Sequence, residues 1–207
     1  MKLWLFDILA CPIDKHFPLK LYTFSFENQP EEVQSFINVY ENRDIDYIKS
    51  ENIINISQEK NEFFLKDNII IEKTKLNSYL ELIISTLDEF EHIFDQSNNP
   101  LIEKCIKIMK SDIKSKIKDF SNILDFNNFD NILPELYFLN KVKLDIEIES
   151  GLLFCTKCKR WYPIVESIPQ MLPDKYRDEK NEIEFLKKHK NLLDEKFFNQ
   201  DLKPYKI

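Results

Sequence analysis

Two of the four cysteines in this 207-residue chain stand as Cys155-Thr-Lys-Cys158, a spacing that serves either a metal ion or a redox-active dithiol. The flanking residues separate the two chemistries. A thioredoxin-type pair opens a helix, whose dipole lowers the thiol pKa. Here Lys159-Arg-Trp-Tyr-Pro163 is aromatic and broken by proline, with extended segments on both sides. Strand, C-x-x-C, strand is the knuckle of a zinc ribbon, in which two thiolates hold one side of a tetrahedral ion. One knuckle is half a site, and the other half falls to Cys11-Pro-Ile-Asp14-Lys-His16. Asp14 and His16 are both able to ligate zinc. An imidazole nitrogen is the commoner companion of thiolates, which ranks His16 slightly ahead of Asp14 as the fourth ligand. A degenerate, metal-free knuckle is the third reading. Cys105 lies beside the apolar face of a predicted helix and reads as a small hydrophobe. His92 and His189 fall on predicted helices without ligand neighbours and read as surface or capping residues.

Four protein ligands leave a metal no open position for a catalytic water, so the expected role of zinc is structural. The rest of the composition points the same way. A single glycine, Gly151, where average usage gives roughly fourteen, excludes G-x-G-x-x-G, P-loop and G-x-S-x-G motifs. No acid pair, Ser-His-Asp set or Cys-His set stands out among 36 scattered acids, and the chain is expected not to be an enzyme. The net charge of −7, with both signs interleaved, offers no basic footprint for binding nucleic acid unaided. Few cysteines in this spacing indicate a reducing, cytoplasmic setting. The start, Met1-Lys-Leu-Trp-Leu-Phe-Asp-Ile-Leu-Ala-Cys11, looks superficially like a lipoprotein signal. Asp7 interrupts its apolar run, and a short helix over 3–9 delivering Cys11 is the preferred reading. No segment approaches the length of a membrane span.

The elements that position the cysteines follow from periodicity. Leu19 to Phe26 alternates as a half-buried strand. Pro30-Glu-Glu reads as a helix start. Asp67-Asn68, between apolar runs over 62–71, reads as a hairpin turn or part of a buried loop. Leu76, Leu80, Ile83, Leu87, Phe90 and Phe94 form one stripe of a long helix, Asn98-Asn-Pro100 ends it, and Ile102, Ile106, Met109, Ile113, Ile117 and Phe120 form a second. The two are expected to pack as an antiparallel pair. A shorter helix covers 134–141. Val142 to Glu149 alternates as a strand, Ser150-Gly151 is expected to turn the chain with glycine at positive φ, and 152–155 returns as its hairpin partner. Residues 160–165 and 168–172 read as extended, and 181–199 as a final amphipathic helix.

The order Ile8-Leu-Ala-Cys11-Pro, Phe17-Pro-Leu-Lys-Leu21, Ile148-Glu-Ser-Gly-Leu-Leu-Phe-Cys155-Thr-Lys-Cys158, Trp161-Tyr-Pro-Ile164 and Ile168-Pro-Gln-Met-Leu-Pro173 resembles the small activator subunit of tRNA, ribosomal-RNA and release-factor methyltransferases. The resemblance implies an α+β fold: a zinc-ribbon-like domain from both chain ends (1–27 and 142–175), an inserted helical domain (28–141), and a charged C-terminal helix and tail (176–207). It implies a non-catalytic subunit that forms a heterodimer with Rossmann-type, SAM-dependent methyltransferases by adding a strand beside the enzyme's sheet, with RNA met only through the partner. The candidate contact edge is 162–172. Ile164, Ile168, Pro169, Met171 and Leu172 are its candidate contacts and Trp161 its anchor. Core packing of the ribbon is an equal reading for each of these side chains. The other function classes are a nucleic-acid-binding zinc ribbon and a thiol-disulfide oxidoreductase.

Overall fold

The structure is a computed structural model that describes residues 1–60, 62–123 and 126–207. In chain order the elements are α1 (Leu3–Phe6), β1 (Lys20–Phe26), α2 (Pro30–Asn42), α3 (Ile45–Ser50), β2 (Asn55–Glu59), β3 (Glu62–Lys66), β4 (Thr74–Lys75), α4 (Leu76–Asp88) and β5 (Ile93–Asp95). There follow α5 (Pro100–Ile108), α6 (Lys114–Ile123), α7 (Leu133–Leu144), β6 (Ile148–Phe154), β7 (Trp161–Val165), β8 (Ile168–Pro169), α8 (Glu179–Lys188) and α9 (Glu195–Phe198). The fold is α+β. The chain divides into two compact units, one of residues 1–27, 92–98 and 147–207, the other of residues 28–91 and 99–146.

The first unit is built on a sheet in the order β5-β1-β6-β7-β8. β1 runs antiparallel to β6 with Lys20 opposite Phe154 and Leu21 opposite Leu153, and a bulge near Ser25 ends the regular register. β7 returns along β6 with Trp161 opposite Phe154 and Ile164 opposite Gly151. Residues directly opposite share a face. One face therefore carries Tyr22, Leu152, Phe154 and Trp161, and the C-terminal segment buries it: Leu186, Leu193, Phe197 and Leu202 join them in one core. Residues 176–207 are thus the second layer of this unit. The single helix expected over 181–199 is broken, because His189 caps α8 and the Asp194 side chain accepts from the Phe197 amide at 2.7 Å to start α9.

The second unit holds α2 to α7 and a small sheet in the order β2-β3-β4. Pro30 stands in the first turn of α2 with Glu31 and Glu32, as expected of a helix start. α5 and α6 are joined by a π-helical turn, Met109–Ile113, and the predicted stripe from Ile102 to Ile117 is buried along them. α4 packs against α6. Asp67 forms the turn after β3: its Oδ1 accepts from the Ile69 amide, and Oδ2 accepts from the Tyr79 hydroxyl at 2.6 Å and the Asn140 amide at 2.9 Å. β3 pairs antiparallel with β4 beyond that turn.

Three further expectations fail for identifiable reasons. Helix α4 stops at Asp88, and Ile93–Asp95 leaves the stripe to run parallel to β1, with Thr23 Oγ1 donating to Asp95 at 2.8 Å. A three-residue apolar piece fits either period, and the ladder with β1 decides. Residues 142–144 complete α7 rather than open a strand. That helix is buried on nearly every side, Glu135 and Lys143 included, so it lacks the amphipathic signature of a surface helix. Finally, Gly151 sits within a continuous β6, with no positive φ. A Cβ there would lie 2.7 Å from the Tyr22 carbonyl oxygen and 3.3 Å from side-chain carbons of Ile148 and Ile164. Close approach of β1 requires this glycine. Gly151→Ala is expected to destabilise the protein by about 1–3 kcal/mol through overpacking against a strand that cannot yield, read as a lowered denaturation midpoint with an unchanged m-value.

Candidate metal centre

Both knuckles are placed by the β1–β6–β7 ladder. Residues 155–160 are the loop of the β6–β7 hairpin, closed by the Phe154–Trp161 pair. Residues 11–16 lead into β1, whose first residue, Lys20, lies opposite Phe154. The two loops therefore meet at one end of the sheet.

Their backbones repeat one another. The Cys11 amide donates to the His16 carbonyl at 3.0 Å and the Lys15 amide to the Cys11 carbonyl at 2.9 Å; the Cys155 amide donates to Arg160 at 2.8 Å and the Lys159 amide to Cys155 at 2.9 Å. The residue four beyond each first cysteine is left-handed, Lys15 at φ 58° and Lys159 at φ 61°. The amides of Ile13 and Asp14 turn toward the Cys11 sulfur, as those of Lys157 and Cys158 do toward Cys155. The parallel extends to the fourth residue, since the His16 amide donates to Asp14 Oδ1 at 3.1 Å and the Arg160 amide serves Cys158. Asp14 thus holds in the first knuckle the place that Cys158 holds in the second.

Side-chain positions agree. The ligand atoms of Cys11, Asp14, Cys155 and Cys158 all lie within 4.8 Å of one another, an arrangement that could hold a metal ion. Cys11 Sγ is 3.6 Å from Cys158 Sγ, and Cys155 Sγ is 3.6 and 3.7 Å from the Asp14 carboxylate oxygens. An ion bonded tetrahedrally to sulfur at about 2.3 Å sets its sulfurs about 3.8 Å apart, so the donor set fits one such ion. The preference for His16 over Asp14 is corrected: His16 lies outside the group, its Nε2 3.0 Å from Thr156 Oγ1. Position decides here, because the C-x-x-D spacing copies C-x-x-C while the imidazole corresponds to Arg160.

Burial pushes the Cys11 thiol up, and it pushes Cys155 to about 12. At Cys158 burial is outweighed by donors from the Arg160 backbone and side chain, and the thiol is held below its usual value. Cys155 is buried and shifted the wrong way for a nucleophile, whereas Cys158 is shifted the other way; a bound cation would deprotonate such thiols outright. The Tyr162 hydroxyl lies 3.2 Å from Cys11 Sγ. Cys105 is buried with its thiol raised to about 12, as expected of a core residue. His189 is also buried, stacked on Phe24 at 4.7 Å.

The edge residues separate into two sets. Trp161 and Ile164 are fully buried, and Trp161 Nε1 donates to the Tyr205 carbonyl at 3.0 Å. Trp161 is not the expected surface anchor, because the C-terminal segment covers it. Ile168 and Leu172 are 60% and 42% exposed, while Pro169 and Met171 are half-buried. Val165 and Tyr176, which periodicity does not single out, are exposed beside them at 39% and 64%.

Fold and site together are compatible with a zinc-ribbon-like unit made from both ends of a chain that carries a second, mainly helical unit in sequence between them. Residues 2–167 match the family model described as Trm112p-like protein, so the chain belongs to the Trm112p-like family, a family of methyltransferase activators. No match was found among curated proteins or solved structures. The family match ends before α8 and α9.

The two left-handed lysines generate a test. Lys159→Gly is expected to leave stability within about 1 kcal/mol of wild type or raise it. Lys159→Val, β-branched at positive φ, should lower it by about 1–2 kcal/mol, with thermal denaturation as the measurement.

Proposed function

We propose that this protein is a non-catalytic subunit that binds, stabilises and activates a SAM-dependent methyltransferase of Rossmann fold acting on tRNA, ribosomal RNA or a translation release factor. Membership of the Trm112p-like family carries this reading. The partner docks at the β7–β8 edge, where Val165, Ile168 and Leu172 stand exposed around the two-residue outer strand β8. Such an edge supplies main-chain hydrogen bonds to an added strand, and its alternate side chains supply fit. The covered sheet face supports this choice, because the protein's own C-terminal segment already occupies it. Among the described residues no helix is long and apolar enough to cross a membrane, and the proposed setting is the cytoplasm.

The metal is zinc, held by Cys11, Asp14, Cys155 and Cys158. Three thiolates with one carboxylate suit a borderline-soft tetrahedral ion better than calcium or magnesium, which take oxygen. With four protein ligands it pins the two knuckles and supplies no reacting water.

Affinity capture of the full chain from its native host should recover a methyltransferase in stable complex, and the pair should transfer methyl groups faster than the enzyme alone. Absence of any methyltransferase would overturn the reading. Ile168→Asp is expected to weaken the complex by about tenfold or more, as a charge placed in an apolar interface does, without loss of metal. Elemental analysis should find about one zinc per chain; Asp14→Ala should lose it and His16→Ala keep it. The competing nucleic-acid-binding ribbon predicts RNA binding centred on the first unit, destroyed by charge reversal at Lys157 and Lys159.

A further inference from the structure

The second unit contains a pocket of about 370 Å³ between α2, α5, the π-helical turn and α6, within the size range of ligand sites. Arg43, Lys104, Lys107 and Lys116 line it, against the two carboxylates of Glu41 and Asp112. In a chain of net charge −7 this is a local excess of cations, assembled from residues far apart in sequence.

The cations are held in place. Arg43 ends α2 in the left-handed region at φ 50°, a conformation that residues other than glycine rarely adopt. Its Nη1 donates to Glu135 Oε1 at 2.8 Å. Lys116 Nζ donates to the same oxygen at 2.9 Å and lies 5.3 Å from the Tyr40 ring centroid. Glu135 itself is fully buried. One buried carboxylate therefore fixes two cations, and their surplus charge remains at the pocket. Lys104 is paired with Glu41 at 2.7 Å on the surface, a pairing that yields readily to a stronger anion. The Lys107 ammonium is exposed and has no partner among the described residues. The wall between them is the π-helical turn, a distortion that recurs at functional sites, and it carries the Ser111 hydroxyl.

We propose that this pocket binds the phosphate backbone of an RNA chain directly, a local exception both to the acidic balance of the chain and to the expectation that RNA is met only through the partner. Lysine and arginine at the mouth of an open pocket suit phosphate oxygens, and bonds of this kind position a nucleic acid without reading its bases; the Ser111 hydroxyl is already used within the protein, donating to the Lys107 carbonyl at 2.8 Å. The choice of RNA over another phosphate carrier rests on the activator reading, two of whose three substrate classes, tRNA and ribosomal RNA, are RNA; the helical unit then holds the RNA while the other unit holds the enzyme.

The test uses the full chain and fluorescein-labelled total tRNA, with binding followed by anisotropy over a salt series. Lys104→Glu combined with Lys107→Glu is expected to weaken binding by about tenfold or more and to reduce the slope of log affinity against log salt by about two, one for each phosphate that is no longer neutralised. Lys180→Glu combined with Lys187→Glu, on the exposed face of α8, should change neither. No tRNA binding by wild type, or equal weakening in both double variants, would overturn the proposal. So would a thermal shift with inorganic phosphate unaccompanied by tRNA binding, which would assign the pocket to a small phosphorylated ligand. Methyltransferase capture with the same variants is scored separately: an intact complex with unimpaired tRNA binding in the pocket variant defeats this proposal and leaves the activator reading standing.

Discussion

The antiparallel pairing of β1 with β6 is the constraint on which the rest of the molecule depends. It sets Lys20 opposite Phe154 and so joins segments from the two ends of the chain at the end of the sheet where both knuckles lie. Loop-closure entropy rises only with the logarithm of length, about 0.6 kcal/mol for each doubling. A large insertion between the two strands is therefore tolerable, provided that it folds on its own core. The second unit has such a core, with α7 buried along nearly its whole length. The ladder also explains Gly151, whose missing Cβ lets the Tyr22 carbonyl approach.

The metal centre follows from that ladder together with a repeated backbone. Each knuckle folds its chain so that amides reach the first sulfur and the ligand three residues on, and each needs a left-handed residue to close. Glycine usually meets such a demand at no steric cost. Here lysine takes the strain, as arginine, asparagine, glutamate and serine do at other positive-φ sites of this chain. Burial raises two of the three thiols of the site, while donors from Arg160 hold Cys158 below its usual value.

A third consequence concerns which surface remains for a partner. An unsupported sheet would have two faces to hide, and in this unit the C-terminal segment covers one of them through Leu186, Leu193, Phe197 and Leu202. Arg177 reinforces the cover: its guanidinium lies 5.3 Å from the Trp161 ring and 5.1 Å from the Tyr162 ring, and it is paired with Glu182. The apolar side chains at β8 and just beyond it stay exposed, and the proposed docking edge is placed there.

Chemistry carried by local spacing was legible in the chain alone. The C-x-x-C between extended segments and the starts of α2 and α5 depend on neighbours within a few residues, and each has the predicted form. The family likeness was legible as well, because its motifs lie near the ends of the chain in a fixed order. What depended on distant partners was not. Asp14 outranks His16 only when the two knuckles are seen to be equivalent, Phe94 leaves its helix because β1 offers a ladder, and Val142 stays helical inside a core that erases its periodicity. Trp161 is the clearest case. Its type suited an interface, but a segment some forty residues further on buries it, and only the tertiary structure can decide which of two apolar neighbours an aromatic side chain meets.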